Sequence, residues 1–463
     1  MDLVIVIAAL VFLMFVAYRG YSVIMFAPIA ALGAVLLTDP SMVAPMFSSV
    51  FMKKMVGFVE NYFPVFMLGA IFGKVIELSG FSKSIVAAVI KLLGSERAML
   101  AIVVVCAVLT YGGVSLFVVV FAVYPFAAEM FRQSGIPKRL IPGTIALGAF
   151  SFTMDALPGS PQIQNIIPTT FFKTNTWAAP WLGLIGSIFI IIVGMAYLEW
   201  RRRSALAAGE GYGTELRNEP EQFESKDLPN PWIAVLPLIV VGVMNKVFTE
   251  LIPKFYGSAH EMTLATGGKP VVTEVSKVTA IWAVEIALVL GILTVFAFAW
   301  KPVTAKFVEG SKAAIAGSLL ASMNTASEYG FGGVIAALPG FLAVSGALAT
   351  IPNPLINEAI TVTTLAGITG SASGGMSIAL AAMSETFIAN AHAAGIPLEV
   401  FHRVASMASG GMDTLPHNGA VITVLAVTGL THKQSYKDIF AVTLIKSAAV
   451  FFIIGVYYMT GIV

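Results

Sequence analysis

Charge is what this sequence has least of. Of 463 residues, 27 are Lys or Arg and 25 are Asp or Glu, so only 11% are charged, against roughly 25% in soluble globular chains. A net charge of +2 is too small to argue for nucleic acid, and the clustered basic face that binding a phosphate backbone needs is lacking. The single cysteine, Cys106, allows no internal disulfide, so oxidising folding is neither required nor excluded. No Gly-x-x-x-x-Gly-Lys loop is present to cradle phosphates, which argues against ATP as an energy source. The opening "MDLVIVIAAL" lacks a basic n-region and a small-residue cleavage site, and is expected to be a retained first span rather than a signal peptide.

The bulk of the chain is apolar instead: 57% of residues are hydrophobic. Runs near the roughly 20 residues needed to cross about 30 Å of hydrocarbon recur along its length. Leu3–Val16, Trp177–Leu198, Trp232–Phe248, Ile281–Trp300 and Ile439–Met459 are examples. The expected fold class is therefore an all-α polytopic membrane protein. The one sizeable polar stretch, Arg201 to Asn230, reads as a loop joining two halves.

Those halves repeat. "FVE" with "ELSGF" (Phe58–Glu60, Glu77–Phe81) matches "FVE" with "EYGF" (Phe307–Glu309, Glu328–Phe331). "GGVS" at Gly112 matches "GGMS" at Gly374, "GIP" at Gly135 matches Gly395, and "MDALP" at Met154 matches "MDTLP" at Met412. Four matches in one order at a nearly constant offset indicate an internal duplication. Arg132, Lys138 and Arg139 surround the first "GIP", whereas the second has no Lys or Arg after it until Arg403. The positive-inside rule puts the first turn in the cytoplasm and the second outside. Arg201–Arg203, then Lys301, Lys306 and Lys312, and the "THKQSYK" loop fall on the cytoplasmic side of the same trace, while Lys53 and Lys54 dissent. Two copies of opposite orientation form an inverted-topology repeat, in which interrupted helices cradle a substrate near the bilayer midplane.

Each copy has two interruptions. "TYGGVS" (Thr110–Ser115) and "TGSASGGMS" (Thr369–Ser377) break apolar segments as the tips of re-entrant hairpins. Glycines followed by a serine at the start of a half-helix leave backbone N–H groups and a hydroxyl able to hold a carboxylate. Gly112, Gly113 and Ser115, with Gly374 and Gly375, are therefore candidate substrate contacts. The competing reading of the glycines is close helix packing. In the second interruption, Pro158 and Pro416 cannot continue a helix, so the chain must open near Asp155 and Asp413. Two readings compete for each Asp: a ligand for a cation or proton, or a cap ahead of a helix-starting proline. Ser160 after the first break, and His417 and Asn418 after the second, are neutral hydrogen-bonders for a small oxyanion; His417 is alternatively a proton carrier. Asn324 and Glu328 in "SMNTASEYG" are further intramembrane candidates, Asn324 for substrate and Glu328 for ion or proton coupling.

At "MDALPGSPQIQN" and "GGMDTLPHNGAV" the sequence resembles the gluconate:proton symporter (Gnt permease) family of the ion transporter superfamily, and most of all its short-chain hydroxy-acid branch, which includes 3-hydroxybutyrate permeases. The resemblance implies a dimerising scaffold domain and a transport domain that moves against it like an elevator. Carried onto this chain, the resemblance implies Thr110, Gly113 and Ser115 with Ser371, Ser373 and Gly375 as substrate-binding hairpin tips and Ser160, His417 and Asn418 in the broken-helix sites; residues 1–97 are then scaffold and 98–200 transport domain in the first copy. A cytoplasmic linker comes next at 201–231, then scaffold at 232–350 and transport domain at 351–463.

These readings converge on a secondary active symporter, not an enzyme, in a bacterial cytoplasmic membrane with the C-terminus outside. It is expected to import a small organic monocarboxylate without a cofactor, and the resemblance implies a homodimer. The coupling ion is left open between H⁺ and Na⁺, with no metal site beyond a sodium position near Asp155 or Asp413. The alternatives are a gluconate-type sugar-acid symporter and, in another class, an intramembrane enzyme with Asp155 and Asp413 as a carboxylate dyad.

Overall fold

The computed structural model describes all residues except 20, 95–96, 115, 215–216, 221–227, 266, 268 and 417. Ser115 and His417, both candidate contacts, lie outside the described residues.

The first copy opens with α1 (Asp2–Tyr18) and α2 (Val23–Thr38). α3 (Val43–Met46) runs through one π turn into α4 (Met52–Leu78), and α5 (Phe81–Leu93) comes after it. The first hairpin is α6 (Ala98–Tyr111) and α7 (Leu116–Gln133). The first broken helix comprises α8 (Ile141–Ala149), the single turn α9 (Phe152–Asp155) and α10 (Ile163–Phe172), and α11 (Pro180–Ala207) closes the copy. The second copy begins with α12 (Pro231–Tyr256), an exposed β-hairpin of β1 (Ala259–Met262) and β2 (Val271–Glu274), and α13 (Val275–Ala336). It continues with α14 (Pro339–Ala349), the second hairpin α15 (Pro354–Thr369) and α16 (Ala372–Ala394), the second broken helix α17 (Leu398–Gly411) and α18 (Gly419–Thr428), and α19 (His432–Thr460). Among the described residues five helical segments are long and apolar enough to cross a membrane unaided. The protein is an all-α polytopic membrane protein apart from the small β-hairpin, which the hydropathy pattern did not signal.

α13 is two helices in one. At Ala299, φ −135° and ψ 39° leave the helical region, three residues before Pro302, whose ring displaces the preceding turn and whose nitrogen cannot donate. Counting the halves of α13 separately, α12 and α13 repeat the order of α1, α2 and α4. The packing repeats too: α5 lies on α12, and α14 lies on α1. Gly80, the turn before α5, touches Pro229 at the start of α12, and Gly340 in the first turn of α14 touches the backbone of Asp2 at the start of α1.

α19 shows that the copies are inverted. With 29 residues it is about 43 Å long at 1.5 Å per residue. The first "GIP" turn sits at its N-terminal end, where Ser435 Oγ donates to Arg139 O at 2.6 Å and Arg139 meets Asp438 at 3.4 Å. The second sits at its other end, where Ala394 and Ile396 line a cavity with Asn353, Tyr457 and Tyr458. Both ends of the second hairpin, residues 353 and 394–396, are therefore on one side, which makes it re-entrant. In both "GIP" turns the glycine is left-handed, φ +63° at Gly135 and +65° at Gly395, a conformation that glycine adopts without steric cost.

Two expectations need correction. Arg201–Arg203 are not loop residues, because α11 continues to Ala207. The linker beyond α11 is strapped down: Arg139 binds Glu210 through Nε and Nη2 at 2.6 and 2.7 Å, Lys138 binds Glu219 at 2.6 Å, and Asn218 donates to Ala426 O at 2.8 Å. The match of Glu77 to Glu328 is also out of register. Glu77 is the penultimate residue of α4, half-exposed and paired with Lys74 at 2.8 Å, whereas Glu328 lies eight residues before the end of α13 and is buried.

Candidate functional site

The two broken helices meet. After α8, the chain cannot form one continuous helix through Pro158 and Pro161, so carbonyls at the break point away from helical partners. α17 of the other copy supplies donors to them. Arg403 Nη1 donates to Asp155 O at 2.9 Å and to Asn165 Oδ1 at 3.0 Å, and its Nη2 donates to Ala178 O at 2.8 Å. Ser406 Oγ bonds Asp155 O at 2.8 Å and Gln164 O at 3.0 Å. His402 completes the seam, with Nδ1 2.6 Å from Thr174 Oγ1 and Nε2 3.2 Å from Asn165 Oδ1.

The second break is held in the same manner from α19. Lys446 Nζ lies 2.5 Å from Asp413 Oδ1 and 2.9 Å from Phe150 O, at the end of α8. Asp155 sits within electrostatic reach of Lys446, Asp413 and Arg403, and its Oδ1 is buried without a hydrogen-bond partner among the described residues. Asp155 and Asp413 thus belong to one buried cluster of two carboxylates and two cations. Burying this cluster is tolerable because both cations are hydrogen-bonded and Lys446 is paired with Asp413. The ion pair also commits Asp413, which is not how a proton-sharing carboxylate dyad is arranged.

Each hairpin tip is tied to the break of its own copy. Gln162 Nε2 donates to Thr110 O at 2.7 Å and Tyr111 Oη to Pro158 O at 2.8 Å, while Asn418 Nδ2 donates to Gly370 O at 2.6 Å. Ser160 is spent inside the first break, donating to Thr153 O at 2.7 Å. Asn418 is the N-cap of α18, accepting from Ala420 N and Val421 N at 2.7 and 3.3 Å. Thr110 Oγ1 is buried and unpartnered among the described residues. Gly112 packs on Leu238, Gly113 holds φ +94°, and Gly375 packs on the backbone of Ala366, so for Gly112 and Gly375 the close-packing reading applies.

The second tip holds the remaining candidates. Gly370 ends α15 in the left-handed conformation, and Ser371 caps α16 by accepting from Gly374 N at 3.1 Å. α13 runs alongside: Thr325 Oγ1 is 3.3 Å from Ser373 Oγ, the Glu328 carboxyl abuts Gly374, and Gly332 packs on Ile378. Asn324 is partly exposed beside this stripe. The candidates therefore form two groups, the crossing of the breaks and the second hairpin tip with Glu328. Among the described residues no cluster of His, Cys, Asp and Glu is arranged to hold a metal ion.

Sequence reasoning missed Arg403 and Lys446. Arg403 enters the sequence reading only as a charge that bears on orientation, and Lys446 sits unremarked inside "AVTLIKSAAVFF". The signal that could have found them is a lone ionisable residue within an apolar run. Glu358, fully buried in α15 with neither carboxyl oxygen bonded among the described residues, was missed for the same reason.

Comparison with known proteins gives two findings. An uncharacterized transporter of Bacillus subtilis (strain 168), YxjC, is 60% identical over 475 residues, an alignment that takes in 100% of this chain and 100% of that protein. Among solved structures, the YdaH transporter of Alcanivorax borkumensis, described as having an unusual topology, superposes with a TM-score of 0.54 at 16% identity, covering 92% of this chain and 90% of that one. At that identity the likeness is one of fold. No family model matches the chain.

Proposed function

The chain belongs to the family of membrane transporters that includes YxjC of Bacillus subtilis, and from that premise we propose that it is a secondary active symporter importing a small organic monocarboxylate. The observation that carries this reading is the meeting of two unwound segments, one from each inverted copy, beside a hairpin tip with unspent backbone donors. The N–H groups of Ala372 and Ser373 at the start of α16 meet no acceptor among the described residues, and a helix N-terminus with free N–H groups favours a carboxylate. Hydroxyls of Ser371, Ser373 and Thr325 line the same tip.

The substrate we favour is 3-hydroxybutyrate or a related short-chain hydroxy acid, on the resemblance of the "MD-x-LP" breaks to that branch of the Gnt permeases. A polyhydroxylated sugar acid is the alternative within the same mechanism. The membrane is the bacterial cytoplasmic membrane, with the strapped linker inside and the C-terminus outside, because Arg132, Lys138, Arg139 and Arg201 gather at one end of the molecule. Elevator-like movement of the hairpins and broken helices against the remaining helices, within a homodimer, completes the proposal.

Uptake of labelled 3-hydroxybutyrate into proteoliposomes, with proton and sodium gradients imposed separately, tests it. Accumulation under one of the two gradients is expected. No accumulation of this or any other short hydroxy acid under either gradient would overturn the symporter reading.

A further inference from the structure

In transporters built on broken helices, unwound carbonyls and the C-terminal ends of half-helices coordinate the sodium ion or proton that drives transport. A hard cation takes oxygen ligands, and the negative end of a helix dipole adds to their pull. This chain has such oxygens where its two breaks meet. Phe150 is the C-cap of α8, and after it Ser151 leaves the helical region at φ −134° and ψ −129°. Phe150 O from the first break and Asp413 Oδ1 from the second both point at one position. Lys446 Nζ already stands there, 2.9 Å from Phe150 O and 2.5 Å from Asp413 Oδ1. The lysine is 1% exposed. Asp155, whose Oδ1 meets no donor among the described residues, lies within its electrostatic reach. The other opened carbonyls are served in the same way, since Arg403 Nη1 donates to Asp155 O at 2.9 Å.

We propose that the Lys446 ammonium is a tethered substitute for a sodium ion at the crossing of the breaks, so that uptake is driven by protons and not by sodium. The proposal rests on the importer reading and narrows its choice of coupling ion. A sodium ion added beside Lys446 would meet a like charge at close range and a carboxylate that is already paired. In a buried site that repulsion is poorly screened. The ammonium, held on its side chain, stays with the protein instead of being released as a transported ion is. The sodium position that the sequence suggests near Asp413 is therefore filled by the chain itself.

Two measurements test this. The first needs no substrate: thermal unfolding in detergent is compared in choline chloride and in sodium chloride of equal concentration. Lys446→Ala removes the ammonium and leaves Asp413, Phe150 O and Asp155 to bind sodium in its place. Sodium is expected to raise the unfolding midpoint of Lys446→Ala by about 2–4 °C and to leave wild type unmoved. Adding Asp413→Asn should abolish the response. A Lys446→Ala protein that shows no sodium response, or that is recovered folded in neither salt, overturns the proposal, as does a wild type that sodium stabilises. The second measurement follows labelled 3-hydroxybutyrate in proteoliposomes of wild type. Accumulation is expected under an inward proton gradient with sodium absent, and accumulation that requires sodium overturns the proposal while the importer reading stands. A wild type that transports nothing, with the sodium response of Lys446→Ala intact, would sink the importer reading and leave the replacement of sodium by Lys446 established.

Discussion

Lys446 is the residue on which the crossing depends. It is fully buried, and it joins Asp413 of the second break to Phe150 O of the first. Lys446→Ala should destabilise the protein by about 3–5 kcal/mol, because Asp413 is left as an uncompensated buried charge. Pairing Lys446→Met with Asp413→Asn removes both charges and should recover most of that loss; thermal unfolding in detergent reads both. Asp155 and Asp413 were legible from their "MD-x-LP" context, since proline announces the break and an acid at depth draws notice. Their counter-ions were not, because Lys446 and Arg403 carry no local signature and are placed by helix packing from outside the motif. The cap reading, left open for the aspartates, is realised by Asn418, two residues after Pro416. Glu328 stands out in the sequence for a resemblance to Glu77 that the structure dissolves, so its candidacy now rests on burial and on Gly374.

At the scale of elements, the hairpins and the linker yield opposite lessons. Both hairpins were readable as apolar arms interrupted by glycine, but the second tip is Gly370–Ser371, four residues before the "GG" that flagged it. Gly374 and Gly375 lie in the first turn of α16, where they let neighbours approach. Gly375→Ala drives a methyl into the backbone of Ala366 and should cost about 1–3 kcal/mol. Gly455→Ala in α19, with nothing within 4 Å, should change stability by less than about 0.5 kcal/mol in the same thermal assay. The linker reads as a loop from composition, yet ion pairs hold it down. The Arg139 guanidinium keeps Glu210 below its ordinary value of 4.5. For Glu219 burial pushes upward, but Lys138 and Arg132 outweigh it and the result is also lowered. Carboxyls lowered in the folded state stabilise the strap at pH values above about 4.5, and that contribution is lost as pH falls through their lowered values. Limited proteolysis of exposed linker sites should therefore be unchanged from pH 8 to 5 and faster below about pH 4, and Glu210→Gln should bring the fast rate to neutral pH.

For the whole molecule, the inverted duplication explains why so few charges suffice. The copies interlock: α7 packs on α18, and α10 packs on α16, and carbonyls opened by the first break are met by Arg403, Ser406 and Lys446 of the second copy, while Lys446 also holds Asp413 of its own. Under the proposed symport, one monovalent cation per monocarboxylate would move no net charge, so uptake should be indifferent to a membrane potential clamped with valinomycin and potassium; a rate that follows the potential would contradict that stoichiometry. The duplication and the opposed directions of its copies could be read from the "GG", "GIP" and "MD-x-LP" matches and the distribution of Lys and Arg, without the Glu77 match. The kink at Ala299 and the β-hairpin could not, since the kink lies within an apolar run and the polar stretch between Phe248 and Ile281 marks a loop without marking strands. The most direct test of the account asks whether the two copies face opposite ways. Gln133→Cys and Ala393→Cys lie at exposed positions beside the two "GIP" turns, and the native Cys106 is buried. A membrane-impermeant maleimide should label Gln133→Cys only in inside-out vesicles and Ala393→Cys only in right-side-out vesicles. Labelling of both from the same face would contradict the inverted architecture and the mechanism built on it.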